Sequence, residues 1–253
     1  MHFLGGPASL PHQETITMNI QGKTALVTGA NRGLGTAYAE ALLAAGASKV
    51  YAGARDPSSV TQPGLIPVKL DVTSRDDIAA AAAQCGDVDI LINNAGISLR
   101  GVKLLEGNAE HALRDQLDVN VFGILHMSRA FAPVLRANGG GAIVNMLSAL
   151  SWLSLPTSAT YSMSKAAAWA LTNGLRNELR AQGTLVVGVH AGYIDTDMVR
   201  HVDAPKSKPE DIAQRVIAGL LIGDEEVLAD AASQQVKASF ALPSPAYLAA
   251  QNS

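Results

Sequence analysis

Short apolar runs alternate with longer helical segments along this chain from Lys23 onward. The apolar runs are continuous rather than interrupted by polar residues, which is typical of strands covered on both faces in a parallel sheet. We therefore predict one doubly wound α/β domain, with a central parallel sheet of six to seven strands flanked by helices. Such a sheet binds its ligands at the carboxyl ends of its strands. An eightfold barrel is the alternative at this length, but it requires eight strands.

Residue periodicity and helix-capping residues give the expected bounds of these elements. The predicted strands are Thr24–Val27, Lys49–Ala54, Leu65–Leu70, Ile90–Asn93, Ala142–Met146, Leu185–His190 and, shortest, Glu226–Leu228. The predicted helices are Leu34–Ala45, Arg75–Cys85, a long region Glu106–Asn138 broken near Asn120, Thr160–Gln182, Pro209–Leu221 and Ser233–Phe240.

Charge and cysteine content exclude several classes of function. With 19 basic and 22 acidic residues, the chain lacks the strong positive field that would attract nucleic acids or anionic membranes. No apolar run reaches the roughly 18 residues of a membrane-spanning helix. The single cysteine, Cys85, excludes an intramolecular disulfide and a cysteine-based zinc site, and we expect it to be a buried residue at a helix end. The histidines show no metal-binding spacing, so we expect no bound metal. A single cysteine fits a reducing compartment, and we therefore expect a cytoplasmic protein.

Residues 1–17 differ from the rest of the chain because they show no hydrophobic periodicity. They also lack the basic start and apolar centre of a secretory signal. We predict that they form a disordered extension, and that residues 18–253 form a single domain.

A glycine-rich turn joins the first predicted strand to the first predicted helix. Its glycines, Gly29, Gly33 and Gly35, have the spacing G-x-x-x-G-x-G. Glycines let the backbone approach a pyrophosphate closely, and the free N–H groups of the helix that follows face the anion. Such a string alone is weak evidence, but its position between a strand and a helix favours a dinucleotide-phosphate site.

Further motifs follow in the order in which one known family carries them. The turn itself, Thr28–Gly35, matches T-G-x-x-x-G-x-G at every fixed position. The later motifs are Asp71-Val72, Asn93-Asn94-Ala95-Gly96, Asn120, Ser148, Tyr161-Ser-Met-Ser-Lys165 and Gly192-Tyr-Ile194-Asp-Thr196. From about residue 23 to residue 198 the sequence therefore resembles the short-chain dehydrogenase/reductase family. The resemblance implies a Rossmann-type domain that binds NAD(P) and transfers hydride.

The resemblance implies a set of cofactor-binding residues. It places Asp71 against the adenine ring, makes N-N-A-G the floor of the cofactor site, and brings Ile194 and Thr196 to the carboxamide of the nicotinamide. The full implied set is Gly29, Asn31, Arg32, Gly33, Leu34, Gly35, Arg55, Asp71, Val72, Asn93, Ala95, Gly96, Tyr161, Lys165, Gly192, Ile194 and Thr196.

The candidate catalytic residues are Asn120, Ser148, Tyr161 and Lys165. Tyr161 and Lys165 are four positions apart and share one helical face. Reduction of a ketone requires a proton donor, and we expect the nearby ammonium to lower the pKa of the tyrosine, which is ordinarily near 10. Tyr161 is then the general acid for reduction and the general base for oxidation. We expect Ser148 to donate a hydrogen bond to the substrate oxygen, and the family resemblance implies that Asn120 holds a water in a proton relay.

The residues at the end of the second strand favour NADP(H) over NAD(H). An acid about 20 residues after the glycines binds the ribose of NAD, whereas an arginine there accommodates the 2′-phosphate of NADP. Here that position is Ala54, followed by Arg55, and Arg32 in the glycine turn is a second candidate. If the strand ran two residues further, Asp56 would occupy the acid position and favour NAD(H).

Substrate identity cannot be read from the sequence. The resemblance places a substrate-binding loop at about 197–208, and we assign Leu150, Trp152, Tyr193 and Met198 to the pocket. We expect the reaction to interconvert a ketone or aldehyde and the corresponding alcohol. Because no basic cluster lies in these segments, we expect an apolar carbonyl compound as substrate rather than a sugar phosphate.

The alternative functions are a non-catalytic NADP(H)-binding regulator and an epimerase or dehydratase. The family resemblance implies a homodimer or homotetramer. One departure is Ala191, where the family usually has proline.

Overall fold

The structure is a computed structural model, and it describes residues 16–249. Its centre is a sheet of seven parallel strands in the order β3-β2-β1-β4-β5-β6-β7. The strands are β1 (Thr24–Thr28), β2 (Lys49–Ala54), β3 (Leu65–Lys69), β4 (Ile90–Asn93), β5 (Ala142–Met146), β6 (Leu185–His190) and β7 (Glu226–Leu228). This confirms the doubly wound parallel sheet and excludes the eightfold barrel.

Seven α-helices of the described chain surround this sheet. They are α1 (Gly33–Ala44), α2 (Arg75–Gln84), α3 (Ala109–Leu117), α4 (Gly123–Ala137), α5 (Ala159–Leu179), α6 (Pro209–Ile222) and α7 (Ala231–Ala238). The predicted last helix, Ser233–Phe240, thus begins two residues earlier and continues into a 3-10 turn at Ser239–Ala241.

Two apolar cores lie on opposite faces of the sheet. Successive strand residues point to opposite faces, so Val27 belongs to the core beneath α1 and α6, whereas Leu26 belongs to the core beneath α2, α4 and α5. Cys85 is buried in the second core at the end of α2, where burial raises its pKa to about 12. This confirms the structural interpretation of the only cysteine.

The strand order reverses between β1 and β4, and this reversal positions the site. β1 pairs in parallel with both β2 and β4, and the ladder to β4 aligns Val27 with Ile92. The chain leaves these two neighbouring strands in opposite directions around the sheet, which opens a crevice at their carboxyl ends. The glycine turn after β1 and the N-N-A-G motif after β4 therefore meet at the same edge.

The predicted break near Asn120 is a π-helix. Residues Asp118–Phe122 form this widened turn between α3 and α4. π-turns of this kind frequently occur at functional sites, and Asn120 is the fully buried residue within it.

The predicted N-terminal extension, 1–17, lies almost wholly outside the described residues. Within them, Ile16 already packs against the core beneath α1 and α6, and the Met18 amide donates to the Leu220 carbonyl at 3.0 Å. Among residues 16–249, no helix is long and apolar enough to cross a membrane.

Candidate active site

The glycine turn requires glycine at its three motif positions for two reasons, backbone conformation and close approach. Gly29 and Gly33 have φ angles of +65° and +54°, in the left-handed region that L side chains rarely adopt. A Cβ on Gly35 would stand 2.0 Å from the Gly29 carbonyl oxygen. The turn therefore folds back on the first residues of α1, and bare backbone faces the crevice above them. This geometry fits a bound pyrophosphate at the start of a helix.

Thr28 and Asn94 tie this turn to the end of β4. The Thr28 hydroxyl accepts from the Asn94 and Ala95 amides, both at 2.9 Å, and donates to the Ile92 carbonyl at 3.4 Å. The Asn94 side chain donates to the carbonyls of Thr28 and Gly29, at 2.9 and 3.3 Å. The two motifs of the sequence thus form one hydrogen-bonded unit.

Asn120 holds the loop that follows this unit. Its side-chain oxygen accepts from the Ile97 amide at 2.9 Å, and its side-chain nitrogen donates to the Ile97 carbonyl at 2.9 Å and to the Ser164 hydroxyl at 3.0 Å. These contacts connect the π-helix, the loop after β4 and the first turns of α5. A Cβ on Gly96 would lie 3.2 Å from the Asn120 side-chain oxygen and 3.8 Å from the Lys165 nitrogen.

Lys165 is a buried ammonium at the centre of the site. Its Nζ donates to the Met146 carbonyl, the last residue of β5, at 2.8 Å. Burial lowers its pKa to about 8, because desolvation disfavours the charged form. The same nitrogen lies 5.7 Å from the ring centroid of Tyr161. The sequence spacing correctly placed these two side chains on one helical face.

Tyr161 and Ser148 face each other at the carboxyl end of β5. Burial raises the pKa of Tyr161 to about 12, and a hydrogen bond with the Ser148 side chain lowers it by a smaller amount. The expected lowering of the Tyr161 pKa is therefore wrong, because desolvation of the buried hydroxyl raises the pKa more than the hydrogen bond with Ser148 lowers it. Tyr161 is protonated at neutral pH and is poised as a proton donor.

His190, the last residue of β6, anchors Ser148 from behind. Its Nδ1 lies 2.9 Å from the Ser148 carbonyl oxygen, and the ring is fully buried. Burial lowers the pKa of this histidine to about 4, so the ring is neutral at pH 7. Among the described residues its Nε2 has no hydrogen-bond partner and lies 3.8 Å from a Glu226 carboxylate oxygen. In the neutral ring with its proton on Nδ1, this N–H donates a hydrogen bond to the Ser148 carbonyl.

The end of β2 settles the position of Asp56. The strand stops at the buried Ala54, and Arg55 is exposed beyond it. The Asp56 carboxylate accepts from the Ser58 amide and hydroxyl, at 3.0 and 2.7 Å, and caps the short turn Pro57–Ser59. The longer strand that would present Asp56 to a ribose is not formed.

Two other charged residues predicted to bind the cofactor have partners within the protein. The Arg32 guanidinium lies 3.3 Å from the Asp197 carboxylate on the predicted substrate loop, and both side chains are exposed. The Asp71 carboxylate accepts from the Thr73 amide and hydroxyl at 2.9 and 2.7 Å. Burial acts to raise the pKa of Asp71, but these hydrogen bonds and the charge of Arg55 bring it below its ordinary value.

Comparison with known proteins places this geometry in a family. Residues 23–207 match the model of the short chain dehydrogenase family. The chain belongs to the short-chain dehydrogenase family. A short chain dehydrogenase of Burkholderia cenocepacia, solved in complex with NADP, is 43% identical and superposes with a TM-score of 0.85 over 89% of this chain and 95% of that one.

Two curated relatives agree with this assignment. An oxidoreductase of Staphylococcus epidermidis is 33% identical over 79% of this chain and 92% of its own length. The short chain dehydrogenase tazN of Aspergillus terreus is 35% identical over 75% of this chain, which spans 45% of that longer relative.

Some predicted site residues of this family member point their side chains into the protein rather than into the crevice. Leu34 lies in the core beneath α1, and Val72 lies in the core beneath α2. The Asn93 side chain donates to the Asn145 side chain at 2.9 Å inside the sheet. At these positions the side chains are therefore not available for contacts with a cofactor.

The four predicted pocket residues are not equivalent. Trp152 is buried, with its ring stacked on His190 at a centroid distance of 3.8 Å. Leu150 and Tyr193 are half-buried, and Met198 is exposed. Met198 is therefore open to solvent, Leu150 and Tyr193 are partly so, and Trp152 packs inside the protein.

Asp230 makes contacts near the candidate site that the sequence did not predict. This residue caps α7, and its carboxylate accepts from the Gly192 amide at 2.7 Å and from the Ser207 hydroxyl at 3.4 Å. It therefore joins the start of the segment after β6 and the far end of the predicted substrate loop to α7. The capping-box pattern Asp230–Ser233 was a visible signal for the helix start, but the loop contacts depend on the fold.

Proposed function

We propose that this short-chain dehydrogenase uses NADP(H) to interconvert a ketone or aldehyde and the corresponding alcohol. The observation that carries the proposal is the meeting of Asn120, Ser148, Tyr161 and Lys165 beside the glycine cradle. These side chains come from a π-helix, from the end of β5 and from one face of α5. Their hydrogen bonds and the charge of one buried ammonium converge where the strands end, which supports proton transfer next to a bound nucleotide.

The residues present fit a nicotinamide cofactor. Bare backbone at Gly29, Gly33 and Gly35 suits the pyrophosphate, and Lys165 is placed to hold the ribose hydroxyls of the nicotinamide half. When bound, the cofactor supplies or accepts the hydride. The remaining chemistry, the handling of the proton and of the developing oxyanion, belongs to the side chains of this chain.

Tyr161 transfers the proton in this proposal. In reduction its hydroxyl, protonated at neutral pH because its pKa is about 12, donates to the developing alkoxide. The Ser148 hydroxyl stabilises the same oxygen by a hydrogen bond. The Lys165 ammonium stabilises the phenolate that Tyr161 becomes, and Asn120 orders the backbone and Ser164 beside the relay. In oxidation the same groups act in reverse.

The preference for NADP(H) rests on charge at the end of β2. Ala54 offers no carboxylate to a ribose diol, Arg55 is exposed beside it, and the Asp56 carboxylate is occupied by Ser58. The NADP complex of the Burkholderia relative is consistent with this proposal. A 2′-phosphate would compete with Asp197 for the Arg32 guanidinium.

The test is the ratio of kcat/KM with NADPH and with NADH, on the wild type and on two variants. We expect the wild type to favour NADPH and Ala54→Asp to shift the ratio toward NADH by at least tenfold, because a carboxylate repels the phosphate. Tyr161→Phe should abolish turnover and retain NADPH binding. Preference of the wild type for NADH would refute the cofactor assignment.

Two other functions have distinct signatures in the same assay. A non-catalytic regulator would bind NADPH and leave its absorbance unchanged with every carbonyl compound. An epimerase or dehydratase would convert substrate with no net change in the nicotinamide absorbance. The buried Lys165 and protonated Tyr161 favour net oxidoreduction over the regulator.

A further inference from the structure

Arg100 lies on the loop that follows β4, a few residues beyond the N-N-A-G motif. The backbone of this loop is fixed on both sides of the residue. The Leu99 amide donates to the Gln116 side chain at 3.1 Å, and the Gly101 amide donates to the Thr157 carbonyl at 2.9 Å. Its position is therefore determined by α3 and by the segment that leads into α5.

The Arg100 guanidinium is held by neutral groups. Its Nη2 donates to the Thr157 hydroxyl at 3.3 Å, and its central carbon lies 5.6 Å from the ring centroid of Tyr193. Within residues 16–249 it forms no ion pair with a carboxylate, whereas Arg32 and Arg200 on the neighbouring segments both pair with Asp197. A guanidinium has five N–H donors in a planar fork, so this one keeps donors free for an anion.

The partners of Arg100 belong to loops that carry residues of the candidate site. Thr157 precedes Tyr161 by four residues, and Tyr193 follows the Gly192 amide that Asp230 holds. Three loops, after β4, β5 and β6, therefore meet at this guanidinium, at the carboxyl edge where the candidate catalytic side chains lie.

We propose that Arg100 binds a carboxylate of the substrate, so that the preferred substrate is an oxo acid and its product the corresponding hydroxy acid. This inference rests on the proposed oxidoreductase function. A planar carboxylate matches the guanidinium fork with two parallel hydrogen bonds. A single guanidinium without a basic cluster suits one carboxylate better than the dianion of a phosphate monoester. The Tyr193 ring lies within cation–π distance of the guanidinium and helps to order it before the substrate arrives.

Pairs of substrates that differ only in charge test this assignment. The oxidation of NADPH is followed with 2-oxopentanoate and 4-oxopentanoate, each beside its methyl ester, for the wild type and Arg100→Gln. A hydrogen bond to a charged group contributes about 1.5–3 kcal/mol. We therefore expect kcat/KM for the better of the two acids to be about 10- to 100-fold lower in Arg100→Gln than in the wild type. For the methyl ester of that acid, kcat/KM of the variant should stay within about threefold of the wild-type value.

Two further variants separate binding from loop support. Lys103→Gln removes an equal charge from an exposed position of the same loop and should leave the acid-to-ester ratio unchanged. Thr157→Val removes the neutral partner of Arg100, and it should weaken the preference for the acid without reversing it.

The outcomes distinguish this inference from the proposed function. Equal loss of activity on acid and ester in Arg100→Gln would show a purely structural role and overturn the inference. A wild type that reduces esters or neutral ketones as well as the acids would also overturn it, and would leave the oxidoreductase function standing. Absence of NADPH turnover with every carbonyl compound would overturn both.

Discussion

Replacing Thr28 by valine is the sharpest test of how the cofactor cradle is held together. The Thr28 hydroxyl is almost fully buried and accepts two backbone N–H bonds, from Asn94 and Ala95, both at 2.9 Å. Valine has nearly the same shape, so the change creates no large cavity. It leaves the Ala95 amide without its acceptor, whereas the Asn94 amide still donates to the Ile92 carbonyl at 3.1 Å.

The expected loss of stability follows from the Ala95 amide. A buried donor left without a partner costs about 1–3 kcal/mol, so Thr28→Val should lower the free energy of unfolding by about 1–3 kcal/mol. That is an appreciable share of the roughly 5–15 kcal/mol that keeps a typical domain folded. Urea unfolding followed by circular dichroism measures the difference. Because the N-N-A-G backbone would also shift, the Kd for NADPH should rise.

Thr24→Val on the same strand is the matched control. Thr24 is also buried, but its hydroxyl makes a single long contact, 3.5 Å to the Asp87 carboxylate. We expect this variant to lose less than about 1 kcal/mol, and Thr28→Ser, which keeps the hydroxyl, to lose about 1 kcal/mol for its methyl group. If Thr28→Val is no less stable than Thr24→Val, the Ala95 amide does not depend on the Thr28 hydroxyl and the reasoning is wrong.

Three further predictions concern the surroundings of the same site. Burial lowers the pKa of Lys165 from 10.5 to about 8, so between these pH values the unfolded chain binds more protons than the folded chain. The free energy of unfolding of the wild type, measured in urea, should therefore rise with pH across that window relative to that of Lys165→Met. His190→Leu removes the donor to the Ser148 carbonyl and should lower kcat about tenfold without changing the KM for NADPH, whereas His190→Asn, which retains a donor, should recover most of it; equal kcat in both variants would contradict this role. Asp230→Ala removes the cap of α7 and the acceptor of the Gly192 amide; it should lower the free energy of unfolding by about 1–2 kcal/mol and speed proteolysis of the loop at 197–208. The control is Asp230→Asn, because asparagine is also a good cap. A loss of stability in Asp230→Asn as large as in Asp230→Ala would show that the cap is not the cause.

The fold followed closely from the sequence because its signals are local. A continuous apolar run such as Ile90–Asn93 has to be covered on both faces wherever it lies, so each strand could be recognised without its neighbours. The positive φ angles of Gly29 and Gly33 are likewise properties of single residues. The helical spacing of Tyr161 and Lys165 needed only the geometry of one helix.

The electrostatics of the site could not be obtained in this way. The sequence predicted a lowered pKa for Tyr161, and the structure raises it, because burial depends on which elements pack around the hydroxyl. Trp152 was assigned to the pocket from its distance along the chain to Ser148. Its actual position is set by His190, which comes from a different strand.

The sequence by itself determined the order of the strands along the chain, the turn that only glycine can form, and the identity of the groups available for proton transfer. The tertiary structure decided which of these groups meet, and with what charge. Arg32 pairs with Asp197, far away in the sequence, and Arg100 reaches Tyr193 and Thr157 from a third loop. Local backbone preferences act within a few residues, whereas desolvation and ion pairing depend on distances that exist only once the sheet has assembled.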